Sequence, residues 1–188
     1  MPRRSRQSER GAAAVEFGLV LPMLVMLLFG VVTSGLAYSN SIGVANAVRE
    51  GGRLGATSDA CGAVLPSTAC TAAGANTWAG DVIQRVRDTQ FDDSGGATKI
   101  CVQLWRVGTG AIPGTGKCAP ASGGPAISVP TTAAQRPAVP ASAAGACFVR
   151  VIAARPFTIN IGIQQWDRNY VSTTAARYER KDKMATCT

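Results

Sequence analysis

Cysteine is the side chain in this chain with the most evident capacity for chemistry. The six cysteines of the 188 residues are Cys61, Cys70, Cys101, Cys118, Cys147 and Cys187. None are spaced as Cys-x-x-Cys and the chain contains no histidine, so we expect neither a zinc site nor a redox centre. Proximity favours the pairs 61–70, 101–118 and 147–187, but sequence alone does not select a pairing. Disulfides would indicate a compartment outside the reducing cytosol.

Two further patterns could carry chemistry, and neither fits well. The glycine-rich run at 108–117 suggests a phosphate loop, but that motif requires Gly where Ala111 stands and Ser or Thr where Cys118 stands. The acidic pair Asp92–Asp93 could bind Ca²⁺ or act as a carboxylate dyad, although a solvated turn is the simpler interpretation. Without histidine the most common general base is also missing. We therefore expect no enzyme activity, no cofactor and no resident metal.

The net charge of +8 is partly a feature of the N-terminus. Four arginines lie within the first ten residues, and the weak excess elsewhere gives little reason to expect a nucleic-acid partner. Scattered arginines nearer the C-terminus could contact anionic glycans, lipid or DNA, but a solvated face is the simpler expectation. They are Arg150, Arg155, Arg168, Arg177 and Arg180.

A long uncharged segment follows the basic N-terminus. Phe17 to Tyr38 is 22 residues without a charged side chain, and as a helix it spans about 33 Å, against about 30 Å for a bilayer core. Arginines on its N-terminal side predict an N-terminus in the cytoplasm and the remainder outside. A signal peptide cut before Tyr38 is the alternative. The length of the run, Pro22 within it and Glu16 at its edge count against that alternative.

The spacing of Gly11 and Glu16 is similar to that of type IV pilin-like leaders, in which a glutamate is the fifth residue after the cut. More specifically, residues 10–22 (RGAAAVEFGLVLP) resemble the start of the TadE family, pseudopilins of the tight-adherence pilus system. Residues 48–53 (VREGGR) are similar to that family's Ala-Arg-Glu-Gly-Ala-Arg segment, with Val48 and Gly52 replacing two alanines.

The resemblance implies a processed structural subunit. A prepilin peptidase would cut between Gly11 and Ala12, and Glu16 would pair with the new α-amine of the same or a neighbouring subunit. Hydrophobic contacts from Phe17 to Val32, a stretch that includes Pro22, would hold the helix in a bundle of subunits. The implied role is a minor pseudopilin supporting assembly of the pilus. The implied partners are the membrane, the peptidase, the major pilin, another pseudopilin and the membrane platform.

The implied location is the inner membrane, in a single pass, with the headgroup outside and access to the pilus or cell surface. The alternative function is a signal-anchored or secreted, disulfide-stapled binding module at the cell surface.

The elements that position these residues are predicted to form an α+β protein. We expect a leader at 1–11, a transmembrane and spine helix at 12–57, and a headgroup at 58–188 with a flexible loop at 108–145. Within the headgroup, periodicity predicts a helix at 76–89, capped by Asn76 or Thr77. It also predicts antiparallel strands at 99–107, 146–154 and 170–178, the last two separated by residues 155–160 and a bend.

Small residues recur every fourth position in the second half of the spine helix. Such a stripe predicts the close approach of a neighbouring helix. Its members are Ser39, Gly43, Ala47, Gly51 and Gly55.

Overall fold

The computed structural model describes residues 6–59, 72–89, 98–108, 110–112, 115–120, 125, 127, 145–160 and 165–179. These residues form two helices and an antiparallel sheet, which confirms the expected α+β class. The elements in chain order are α1 (Arg6–Thr57), α2 (Ala72–Thr89), β1 (Lys99–Arg106), β2 (Gly110–Ala111), β3 (Lys117–Ala119), β4 (Cys147–Asn160) and β5 (Gln165–Arg177).

Helix α1 is 52 residues long, or about 78 Å at 1.5 Å per residue. It begins inside the predicted leader, so the position of the predicted cut is not a helix boundary. Pro22 lies inside the helix and has no N–H to donate to the carbonyl of Gly18. The hydroxyl groups of the apolar segment bond to their own helix, with Thr33 Oγ1 donating to Phe29 O at 2.8 Å and Ser34 Oγ donating to Val31 O at 3.0 Å.

Helix α2 begins at Ala72, four residues before the predicted start at Asn76. Neither Asn76 nor Thr77 therefore caps the helix, and that part of the prediction was wrong. The preceding Ala-Ala-Gly-Ala run contains strong helix formers, and these extend the helix past the polar residues. The predicted apolar face is confirmed as buried, and it consists of Trp78, Val82, Ile83 and Val86.

The sheet has the strand order β2-β1-β4-β5, and β3 also pairs with β1. All described pairings are antiparallel. Strands β4 and β5 pair from Phe148↔Arg177 to Asn160↔Gln165, so residues 155–160 continue the strand and do not separate two strands as predicted. Proline is tolerated at Pro156 because β1 ends its pairing at Ala154, which leaves Pro156 without a neighbour on that side.

The predicted loop at 108–145 contains two short strands. Both β2 and β3 lie within it and pair with β1, which corrects the loop prediction for these residues. The amide of Gln103 fixes this part of the chain, since Nε2 donates to Thr115 Oγ1 at 2.7 Å and to Ile112 O at 2.8 Å. The side chains of Gln103 and Thr115 are both buried.

The hydrophobic core lies between the two helices and one face of the sheet. The end of α1 contributes Val44, Ala47 and Val48, which are almost completely buried. Alternate residues of the central strands complete the core, as expected from the two-residue period of a strand. They are Ile100, Val102 and Leu104 of β1 and Val149, Val151 and Ala153 of β4.

Candidate functional site

The first half of α1 extends away from the core with its apolar side chains exposed. Every large apolar residue from Val15 to Tyr38 is between 43% and 78% exposed. An 18-residue window of this helix has a mean hydropathy of 2.4, and none of the window is buried. By length and composition the helix can cross a membrane. The segment therefore supports membrane anchoring of the chain.

The residues predicted for processing and assembly lie along this exposed helix. Gly11, Ala12 and Glu16 are exposed, and Phe17 is 62% exposed. A Cβ atom added at Gly11 would meet nothing within 4 Å. The structure thus leaves these positions accessible, and their roles in cleavage and pairing remain predictions.

The second motif, residues 48–53, lies where α1 enters the headgroup. Glu50 Oε1 accepts a hydrogen bond from Arg85 Nη2 of α2 at 3.0 Å, and Glu50 Oε2 lies 3.4 Å from Arg53 Nε. The hydrogen bond from Arg85 and then the charge of Arg53 lower the pKa of the Glu50 carboxyl from its usual value. The acidic residue of the motif therefore connects the two helices.

The glycines of the motif allow the neighbouring elements to approach the helix backbone. A Cβ at Gly51 would clash with the Cγ2 methyl of Val86 on α2, and a Cβ at Gly52 would lie 2.6 Å from Thr174 Cγ2 on β5. Near the end of α1, a Cβ at Gly55 would lie 2.9 Å from Val149 Cγ1 of β4. The motif is therefore the surface on which α2 and the sheet dock.

The predicted stripe of small residues is used only in its second half. Gly51 and Gly55 pack against α2, where Trp78 Nε1 also donates to Gly55 O at 3.2 Å. Gly43 has open space around its added Cβ, so the prediction of close helix packing does not hold there within the chain. Sequence reasoning missed Arg85 as the partner of Glu50, because its position on the polar face of α2 does not identify the acid that it meets.

Three cysteines lie in the described part of the chain, and none of them is free. Cys101 and Cys118 form the predicted disulfide between β1 and β3. Cys147 is also disulfide-bonded. The predicted pairs 61–70 and 147–187 each include at least one cysteine outside the described residues. The acidic pair Asp92–Asp93 also lies outside the described residues. No cluster of three potential metal ligands occurs among the described residues.

The expectation of solvated arginines holds only in part for Arg150 on β4, which is half-buried. Its Nε and Nη1 atoms are buried and have no hydrogen-bond partner among the described residues, and burial lowers the pKa of its guanidinium group. Arg168 and Arg177 are exposed, as expected, whereas Arg155 is half-buried. Arg180 lies outside the described residues.

Comparison with known proteins finds a family match on helix α1. No curated protein and no solved structure matches the chain. The exposed helix and the docking motif at its end, residues 11–53, match the family model described as TadE-like protein, which confirms the resemblance found in the sequence.

Proposed function

We propose that this chain is a membrane-anchored, pilin-like subunit of a tight-adherence pilus system, acting as a minor pseudopilin in pilus assembly. The observation that carries the proposal is the TadE-like match at residues 11–53. Those residues form a helix whose apolar side chains are exposed over a membrane-spanning length. The helix then packs through Glu50, Gly51 and Gly52 onto the headgroup.

The exposed apolar part of α1 has different neighbours before and during pilus assembly. Before assembly, the inner membrane covers its apolar side chains, with the N-terminus in the cytoplasm and the headgroup outside. During assembly, helices of the major pilin and of another pseudopilin replace lipid around Phe17 and the residues that follow. The membrane platform and a prepilin peptidase are the other partners in this proposal.

Processing creates the charge that Glu16 is placed to meet. A cut between Gly11 and Ala12 leaves a new α-amine four residues before Glu16. Burial of either charge alone within a bundle is costly, and a pair satisfies both. Glu16 thus pairs with the amine of its own or of a neighbouring subunit.

The docked headgroup is supported as a rigid unit by contacts at the end of α1. Glu50 bonds to Arg85, and Gly51, Gly52 and Gly55 pack against α2 and the sheet. These contacts join α1 directly to α2 and the sheet, as a structural subunit requires.

N-terminal sequencing by mass spectrometry tests the processing step. Protein from membrane and sheared-pilus fractions should begin at Ala12, and Gly11→Val should retain the leader because a larger side chain obstructs the protease cleft. Gly30→Val is the matched control, since Gly30 is equally unobstructed on the same helix but far from the cut. A wild-type terminus at Tyr38 would indicate a secreted module, and one at Met1 or Pro2 an uncut anchor.

Deletion of the chain tests the assembly role separately. Cells without it should lose pili from the sheared fraction, and the wild-type chain supplied in trans should restore them. Pili at wild-type number in the deletion strain would contradict a role in assembly, even if processing at Ala12 occurs.

A further inference from the structure

Strands β4 and β5 extend beyond the rest of the sheet. The pairing of β1 with β4 ends at Lys99↔Ala154, whereas β4 and β5 remain paired to Asn160↔Gln165. Residues 155–160 and 165–170 therefore form a two-stranded extension, which we call the arm. Strand β1 does not flank the arm, so the β4 edge of the arm pairs with none of the described strands.

The two faces of the arm differ in chemistry. The face that continues from Val151 and Thr174, where α1 packs, carries the cross-strand pairs Arg155↔Tyr170, Phe157↔Arg168 and Ile159↔Trp166. The rings of Phe157 and Tyr170 are 5.5 Å apart. We call this side of the arm the aromatic face.

The opposite face of the arm is polar and holds its acidic residue. Thr158 Oγ1 donates to Asp167 Oδ1 at 2.7 Å, and Gln165 Nε2 lies 3.4 Å from the same oxygen. Because side chains alternate between the faces of a strand, Asp167 points away from Arg168. The charged side chains of the aromatic face are thus both arginines.

The arm extends in the direction of the membrane helix. Thr174 contacts α1 at Gly52, and Glu179 N donates to Ala56 O at 3.0 Å, so α1 and β5 run in the same direction. From Gly52 back to Tyr38, α1 covers about 21 Å, while β5 from Thr174 back to Gln165 covers about 30 Å. The end of the arm therefore reaches the level of Tyr38 if the angle between the axes of β5 and α1 is at most about 45°.

We propose that the aromatic face of the arm binds the outer surface of the bilayer around α1. Trp166 lies among the lipid headgroups of the bilayer, and Arg168 contacts the phosphates of anionic lipids. Tryptophan prefers this region because its ring is apolar and its N–H is polar. Trp166 is 40% exposed, and Arg168 is exposed beside it on the same strand. The proposal rests on membrane insertion of α1 and not on pilus assembly.

Bromolipid quenching of tryptophan fluorescence tests the location of Trp166. The full chain is placed as a single copy in lipid nanodiscs, and Trp166→Phe supplies the difference signal, since Trp78 and Trp105 are each 3% exposed. Lipids that carry bromine on the acyl chain close to the lipid headgroup should quench the Trp166 emission, and aqueous iodide should not. Quenching by iodide with no quenching by bromolipid would overturn the proposal. If Trp166 is shielded from iodide only in discs that hold several copies, the aromatic face binds a second subunit, and this result would also overturn the proposal.

Lipid charge tests the role of Arg168. In wild type, a rising fraction of phosphatidylglycerol should increase bromolipid quenching, and Arg168→Gln should lose that increase. Arg177→Gln is the matched control, because Arg177 is exposed on the same strand at the end opposite to the arm. Equal responses of the two variants would overturn the phosphate contact. If the arm lies in water while α1 is inserted in the membrane and the processed chain begins at Ala12, only this inference fails and the proposed function stands.

Discussion

Replacing Gly51 by alanine places a methyl group against Val86 Cγ2, a contact too close for both groups to keep their positions. Val86 is completely buried and is β-branched, so it has little freedom to rotate away. Overpacking of this kind costs about 1–3 kcal/mol. Alanine gains up to about 1 kcal/mol over glycine in a helix. The net expectation is a loss of about 1 kcal/mol, or about 2–4 °C in Tm for a chain of this size.

Gly43→Ala is the matched control, because the same helix gains a methyl group there that meets nothing within 4 Å. The gain in helix propensity is common to both variants, so their difference in unfolding free energy measures the overpacking alone, about 1–3 kcal/mol. Thermal or urea unfolding in detergent, followed by tryptophan fluorescence, to which buried Trp78 and Trp105 contribute, provides the measurement. Equal stability of the two variants would refute the reasoning.

A double-mutant cycle with Val86→Ala identifies the contact responsible. Val86→Ala alone leaves a cavity beside Gly51, and the methyl group of Gly51→Ala fills part of it. The double variant should therefore be more stable than the sum of the two single changes predicts. Additive effects would show that the loss in Gly51→Ala arises elsewhere.

Three further expectations follow. Glu16→Gln should be cut at the predicted site yet fail to support pili, with Glu16→Asp partly competent, because only a carboxylate neutralises the amine; normal pilus counts for the Gln variant would exclude the pairing. Since Arg85 lowers the pKa of Glu50, the stability from this pair should be complete above the ordinary pKa of a glutamate carboxyl, about 4.3, and decline as the pH falls through the lowered pKa. The Tm difference between wild type and Glu50→Gln should thus close with acid, and a difference independent of pH would contradict it. Replacing both Cys101 and Cys118 by alanine opens a link across 17 residues and should cost about 3 kcal/mol in urea unfolding, so an unchanged midpoint would argue against that contribution.

Several features of this protein are legible in the sequence because they depend on neighbours along the chain. The uncharged run from Phe17 to Tyr38 requires an apolar surrounding wherever it lies, and the periodicity of α2 determines which face is buried. The motif that resembles TadE-like proteins is local in the same sense. These features identify the membrane helix and the family resemblance without reference to the fold.

Other features depend on how distant elements dock, and sequence patterns do not record that. Glu50 meets Arg85 across 35 residues only because glycines let α2 lie against α1. Pro156 suggests a strand end, yet β4 continues because β1 stops beside Ala154 and the missing N–H has no partner to lose. In each case the deciding contact is between groups far apart in sequence, and only the tertiary structure brings them together.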